Sequence, residues 1–71
     1  MRLHVDQNAD ALYLRLDDSQ IVESEEVSPG VVIDFNEGNQ VVGVEILHIS
    51  HRSPKFDIGK LIFETTPSSI S

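Results

Sequence analysis

Residues 10–50 alternate apolar and polar side chains almost without a break, and this alternation constrains the fold more than any other feature of the chain. A period of two places successive side chains on opposite faces of an extended strand, so the segment predicts strands with one apolar face. Its interruptions carry Asp, Asn, Ser, Pro and Gly, the residue types that close turns between strands. The pattern therefore predicts an antiparallel sheet that occupies more than half of the chain.

We predict an α+β fold that is predominantly β, with a small antiparallel β-meander of about five strands and a short C-terminal helical turn. The predicted strands cover residues 3–6, 11–16, 21–27, 31–36 and 41–47. The third has charged residues on both faces, which is typical of an edge strand. The helical turn should end before Pro54, because the residue that precedes a proline disfavours the α region. Residues 61–65 are a candidate for a last short strand.

The core is expected to consist of apolar residues that share one parity within each strand, because side chains of one parity point to one face. A single domain is predicted over 1–66, with 67–71 as a flexible tail. A chain of 71 residues buries only about 60% of its unfolded surface, so a partner subunit would help to complete the core. The predicted core residues are Leu12, Leu14, Leu16, Val31, Ile33, Phe35, Val42, Val44 and Ile46.

The charge balance excludes one class of partner. Five Lys and Arg stand against twelve Asp and Glu, which gives a net charge of −7. Binding to a phosphate backbone draws its affinity from cationic side chains, so nucleic acid is not expected as a direct ligand. The chain has no cysteine, no apolar run fit for a signal peptide and no stretch of about 18 apolar residues for a membrane span. We therefore expect a cytoplasmic protein that contacts no membrane.

No motif for catalysis or nucleotide binding is present. The four glycines, at positions 30, 38, 43 and 59, are isolated and stand in no phosphate-binding loop. None of the serines lies in the GxSxG turn of the serine hydrolases. We therefore expect no catalytic residues, no cofactor and no enzymatic activity.

One spacing is compatible with a metal site. Glu45, His48 and His51 follow each other at intervals of three, which on a helix would place two imidazoles and one carboxylate on one face. In the alternative interpretation Glu45 lies in a strand and both histidines lie on a surface loop. The alternative is favoured because the spacing crosses the predicted end of the fifth strand.

Two further sets of residues are candidates for a protein interface. Tyr13 and Arg15 share the polar face of the second strand, where ring and arginine stem would pack together if the face is exposed and would contact a partner if it is covered. Glu23 and Glu25 lie in the acidic third strand. They could bind a basic partner or a cation, and the simpler interpretation is a charged edge that discourages unwanted strand pairing.

Two segments resemble a known family. The strings ADALYLRL and EEVSPGVVIDFNEGNQVVGVEIL, in this order, are similar to the prokaryotic domain of unknown function family 2283, and the resemblance covers residues 1–53. It implies a compact β-meander with a short C-terminal element. The family has no established activity, so no catalytic residue is carried over. Some relatives resemble partners of small toxin-like proteins, which implies an antitoxin-like role.

The function expected from these observations is a protein-interaction module. It would act as a homodimer or as an antitoxin-like domain that binds a protein partner, for example a basic toxin-like protein attracted by the acidic surface. A sheet edge open to strand addition would serve such a role. The alternative is a module that binds a small ligand or a divalent metal through Glu45, His48 and His51 or through the acidic strand.

Overall fold

The computed structural model describes residues 1–69 and places five β-strands and one short 3-10 helix in this range. Each predicted strand is present, and its ends lie within two residues of the predicted ones. The small antiparallel, predominantly β fold with a short helical turn is therefore confirmed. The elements are β1 (Arg2–Asp6), β2 (Ala11–Arg15), β3 (Glu23–Ser28), β4 (Val31–Phe35), β5 (Val41–Ile46) and the 3-10 helix Ile49–His51.

The strands form one antiparallel sheet in the order β1-β2-β5-β4-β3. The order departs from that of a sequential meander at one place, because β2 pairs with β5 and not with β3. All six residues of β3 are exposed, and a strand with charge on both faces is stable at an edge, as predicted. In β5 both Val42 and Gly43 are buried, so this strand suits the centre.

In a sequential meander a short turn between the predicted strands 11–16 and 21–27 would place them side by side, and the structure corrects this expectation. Residues 16–22 instead carry the chain from β2 to the far edge of the sheet. The guanidinium of Arg15 holds this crossing segment: its Nε donates to the Asp17 carbonyl at 2.6 Å, and its Nη2 donates to the Ser19 carbonyl. The sequence shows the turn-forming residues but not the strand with which the next segment pairs.

The β3–β4 turn contains the proline and glycine that the sequence predicts for a tight turn. It also accepts hydrogen bonds from the part of the chain that follows β5. Gly30 has a φ of 76°, in the left-handed region that glycine tolerates without steric cost. The Leu47 amide donates to the Gly30 carbonyl at 2.7 Å. The Arg52 side chain donates from Nη2 to the Pro29 carbonyl and from Nε to the Leu47 carbonyl, both at 2.9 Å. The end of β5 is thereby fixed against the turn.

The helical turn predicted before Pro54 is confirmed as the 3-10 helix, whereas the candidate strand at 61–65 does not form. Asp57 closes a turn in this region: its Oδ1 accepts from the Gly59 amide at 2.9 Å, and its carbonyl accepts from the Lys60 amide at 3.1 Å. Residues 70 and 71 of the predicted tail lie outside the described residues.

The predicted core residues belong to strands and positions that the register brings together, but most are not buried. Among the described residues, Val42 and Ile49 are the only hydrophobic residues with a relative exposure below a tenth. Leu16 is 40% exposed, and the other seven predicted core residues are half-buried. The reason is geometric: a single sheet has no second layer over its apolar side.

Candidate functional site

The register collects most of the apolar side chains of β1, β2, β4 and β5 on one side of the sheet. Leu3 pairs with Leu14, which pairs with Val44, and Val44 pairs with Ile33, so one apolar row crosses four strands. Directly paired residues of antiparallel strands project to the same face. We call this surface the apolar face, and its residues are Leu3, Val5, Leu12, Leu14, Val31, Ile33, Phe35, Val44 and Ile46.

Residues 55–63, which we call the C-terminal segment, cover the apolar face only in part. A groove of about 490 Å³ remains between this segment and strands β1 and β2. Phe63 is 74% exposed, and Leu61 is 61% exposed. The groove is lined by Met1, Leu3, Leu12, Leu14, Leu61 and Phe63. Every lining residue is apolar, so the groove offers packing surface but no chemistry.

The opposite side of the sheet, which we call the polar face, contains a hydrogen-bonded network centred on Asp34. The Tyr13 hydroxyl donates to Asp34 Oδ2 at 2.7 Å, and the Ser24 hydroxyl donates to Asp34 Oδ1 at 2.6 Å. Asp34 is only 8% exposed, so both bonds satisfy a carboxylate that has little access to water. The network links β2, β4 and β3 across the sheet.

Gly43 of β5 lies between β2 and β4 and makes this network possible. A Cβ at this position would lie 2.6 Å from the Tyr13 hydroxyl and 2.9 Å from Asp34 Oδ2, closer than non-bonded atoms approach. The missing side chain therefore lets the tyrosine ring cross the strand. The sequence did not predict this network, although a glycine inside a strand indicates a close approach, and Asp34 interrupts an apolar run.

The predicted interface residues Tyr13 and Arg15 are engaged within the chain. Burial raises the pKa of the Tyr13 hydroxyl, and its hydrogen bond to Asp34 adds to the rise. The Arg15 Nη1 lies 3.5 Å from the Tyr13 hydroxyl, and the rest of the guanidinium holds the crossing segment. Together with Arg2 and His4 they line a shallow depression of about 240 Å³. Their role in an interface stays a prediction.

The other two interface candidates, Glu23 and Glu25, lie at the β3 edge. Glu25 pairs with Ile33 and Glu23 pairs with Phe35, so both carboxylates belong to the side of the apolar face. Glu26 pairs with Val32 and belongs to the polar face. The apolar face thus ends in a carboxylate border along β3.

The three metal candidates do not converge. Glu45 lies in β5 between Tyr13 and Val32, His48 follows the strand with a φ of 55°, and His51 ends the 3-10 helix. Within residues 1–69 no group of three or more His, Cys, Asp or Glu side chains is placed to hold a metal ion. The helical spacing seen in the sequence is broken because Glu45 remains in the sheet.

Asp10 anchors the 3-10 helix to the β1–β2 turn. Its carboxylate accepts from the Ser50 hydroxyl at 2.7 Å and from the Ser50 amide at 3.0 Å, and its carbonyl accepts from the Ile49 amide at 3.1 Å. The side-chain hydrogen bond from Ser50 holds the pKa of the Asp10 carboxyl below its ordinary value of 3.8. The buried Ile49 is thereby fastened to the sheet through its neighbour.

This anchor predicts a pH-dependent change at Ser50. A carboxyl whose pKa is lowered by folding contributes stability above its unfolded pKa, and that contribution is lost as the pH falls through the folded pKa. Between about pH 5 and pH 2 the Ser50 amide resonance should therefore shift with a midpoint below 3.8. Two-dimensional NMR measures this midpoint. An Asp10→Asn variant should show no such transition, and a wild-type midpoint at or above 3.8 would contradict the anchor.

These features define a class of protein: a small antiparallel β-sheet domain with one open apolar face and a hydrogen-bonded polar face. The chain belongs to the family described as protein of unknown function DUF2283, whose family model matches residues 2–50. The resemblance drawn from the sequence is confirmed, and the residues that follow position 50 lie outside the match. No curated protein and no solved structure matches the chain. Among the described residues no helix is long and apolar enough to cross a membrane.

Proposed function

We propose that the protein is a protein-interaction module whose apolar face is the binding surface. The observation that carries the proposal is the exposure of this face: nine apolar residues from four strands form one continuous surface, and none of the nine is fully buried. Monomeric proteins rarely expose a contiguous apolar patch larger than a few hundred Å², and larger patches mark contact sites. A cytoplasmic location and the absence of an enzymatic activity are part of the proposal.

The arrangement of polar groups supports an interaction surface over a reaction centre. Each oxygen of the buried carboxylate of Asp34 accepts a hydrogen bond, one from Tyr13 and one from Ser24. The carboxylate is therefore bound within the chain and is not directed at a substrate. The groove beside the C-terminal segment is lined by apolar side chains alone. A surface of this kind gains free energy by excluding water from apolar area. An antitoxin-like role, with a basic partner attracted by the net charge of −7, is a narrower form of the same proposal.

Thiol labelling in intact native cells tests whether the apolar face is covered by protein. The chain has no cysteine, so one introduced thiol reports on one position. Val44→Cys places it on the apolar face, and Glu45→Cys places it on the polar face of the same strand; both positions are half-buried in the isolated chain. A membrane-permeant maleimide should react about tenfold more slowly at position 44 because the interface must open first.

Mass spectrometry of the recovered protein measures both labelling rates, and labelling in denaturant gives the intrinsic rate of each thiol. Slow labelling at 44 with fast labelling at 45 supports a covered apolar face whatever the partner is. Equal protection at the two positions would refute the proposal, because both are half-buried in the single chain.

A further inference from the structure

The chain exposes more surface than a compact monomer of its mass. The chain exposes 5770 Å², whereas a compact monomer of 7.9 kDa exposes about 4,400 Å². The excess is about 1,400 Å² per chain, and two such surfaces total about 2,800 Å², within the range of about 2,000–5,000 Å² that obligate homodimers bury. The smallest extent of the chain is 18 Å against 37 and 35 Å for the others, a slab with room for a second layer.

Charge is segregated on the apolar side of this slab. Glu23 and Glu25 border it along β3, at one edge of the sheet. Lys55 and Lys60 lie toward the opposite edge, where they line a groove with Asp57 and with Leu12 of β2, so positive charge is in excess there. Glu23 and Glu25 therefore lie at one end of this surface, and Lys55 and Lys60 lie at the other. If a second copy faces the first with its ends exchanged, the acidic residues of each copy meet the lysines of the other.

We infer that the apolar face binds a second copy of this chain, face to face about a two-fold axis parallel to the strands, with Glu23 and Glu25 beside Lys55 and Lys60 of the other copy. The inference rests on the proposed function and names the partner. A two-fold axis between two facing sheets runs either along the strands or across them. An axis that runs along the strands brings the β3 edge of each copy toward the β1–β2 side of the other copy.

The alternative axis, across the strands, is disfavoured by the same charges. It would stack β3 of one copy on β3 of the other and bring Glu23 and Glu25 of both copies together. Like charges that face each other in an interface oppose association and reduce its affinity. The C-terminal segment lines grooves with residues of β1 and β2. In the preferred arrangement it therefore flanks the partner's edge strand, and the partner sheet packs on the β5 and β4 side of the apolar face.

A charge-swap experiment tests the partner and the orientation together. One variant carries Glu23→Lys and Glu25→Lys, and the other carries Lys55→Glu and Lys60→Glu. Each homodimer should be weakened roughly tenfold or more at low salt, because like charges then meet at both contacts. An equimolar mixture should form the heterodimer with about the wild-type affinity, since both contacts again join opposite charges. Sedimentation and native mass spectrometry measure the three affinities.

An effect of net charge alone would strengthen, and not weaken, the homodimer of the variant with Glu23→Lys and Glu25→Lys. Glu23→Lys with Glu25→Lys reduces the net charge from −7 to −3, so nonspecific repulsion between copies decreases. The matched control, Glu26→Lys with Glu45→Lys, makes the same change on the polar face and should leave the affinity unweakened. Weakening of the first variant and not of the control therefore identifies the contact.

Each of the other outcomes refutes the proposed function, the identity of the partner or the orientation of the two copies. A wild-type chain that is monomeric in solution while Val44→Cys is protected in cells refutes the second copy and leaves the proposed function standing. Loss of both findings refutes both. A Glu23→Lys and Glu25→Lys homodimer tighter than the wild type, or a mixture with no preference for the heterodimer, refutes the axis parallel to the strands.

Discussion

Replacing Ile33 with asparagine is expected to remove about half of the free energy of unfolding of the domain. Ile33 is the last residue of the apolar row on the β3 side, paired with Val44 on one side and with Glu25 on the other. Losing the apolar side chain and placing an amide in a covered apolar surface should cost about 3–5 kcal/mol. A domain of this length has a total stability of about 4–10 kcal/mol. Urea denaturation followed by circular dichroism, at one fixed protein concentration, measures the loss.

The matched control is Val32→Asn, the same new side chain one residue earlier in β4. Val32 belongs to the polar face, between Glu26 and Glu45, so the cost should be limited to about 1 kcal/mol of strand preference. Both positions are half-buried in the single chain. Equal losses for the two variants would mean that no second layer covers the apolar face.

Adding one methyl group at Gly43 is expected to have the second largest effect. The new Cβ of Gly43→Ala would lie 2.6 Å from the Tyr13 hydroxyl and 2.9 Å from Asp34 Oδ2, so the tyrosine must move away from the carboxylate. Forced repacking together with an unsatisfied buried carboxylate oxygen should cost about 2–4 kcal/mol. The decrease in urea midpoint measures this cost.

Two controls separate the close contact from a general effect of alanine. Gly38→Ala places a Cβ at 3.4 Å from Asn36 Oδ1, an ordinary contact in a turn, and should change the stability by less than about 0.5 kcal/mol. Tyr13→Phe removes the hydroxyl that Gly43→Ala would strike. In that background the added cost of Gly43→Ala should be smaller by about 1 kcal/mol, the coupling expected of residues in contact. Additive costs would contradict the contact.

The local elements of the fold could be predicted because they depend on neighbours in the sequence. Alternation defines which residues of β2, β4 and β5 share a face, and Pro29 with Gly30 closes a turn by the φ values these residues favour. The acidic composition of β3 also predicts its edge position, because charge on both faces excludes a central one. Each of these statements needs only a few adjacent residues.

The strand order could not be predicted in the same way. Residues 16–22 contain good turn formers, and nothing in them tells whether the next strand returns beside β2 or crosses to the far edge. The outcome depends on competition between β3 and β5 for the open side of β2. Strand β5 pairs with β2 because its apolar residues continue the row of Leu14. Strand β3 in that place would put the carboxylate of Glu23 or Glu25 at the centre of the sheet.

The polar face was predicted only in outline. The sequence placed Tyr13 and Arg15 on one side of β2, and the structure adds that Tyr13 reaches over Gly43 to Asp34, 21 positions away in the chain. The metal spacing of Glu45, His48 and His51 fails for a related reason. It assumed one helix, whereas Glu45 is held in the sheet by its pairing with Tyr13 and Val32.

The sequence by itself determined the class of fold, the strands, most members of the apolar face and the family, because alternation and turn chemistry are local properties of the chain. Only the tertiary structure decided that β2 pairs with β5, that Gly43 makes room for the Tyr13–Asp34 bond, and that the apolar face is left open. These depend on which distant strands meet and on how many layers one chain can build. Seventy-one residues form one sheet, and one sheet cannot cover its own apolar side.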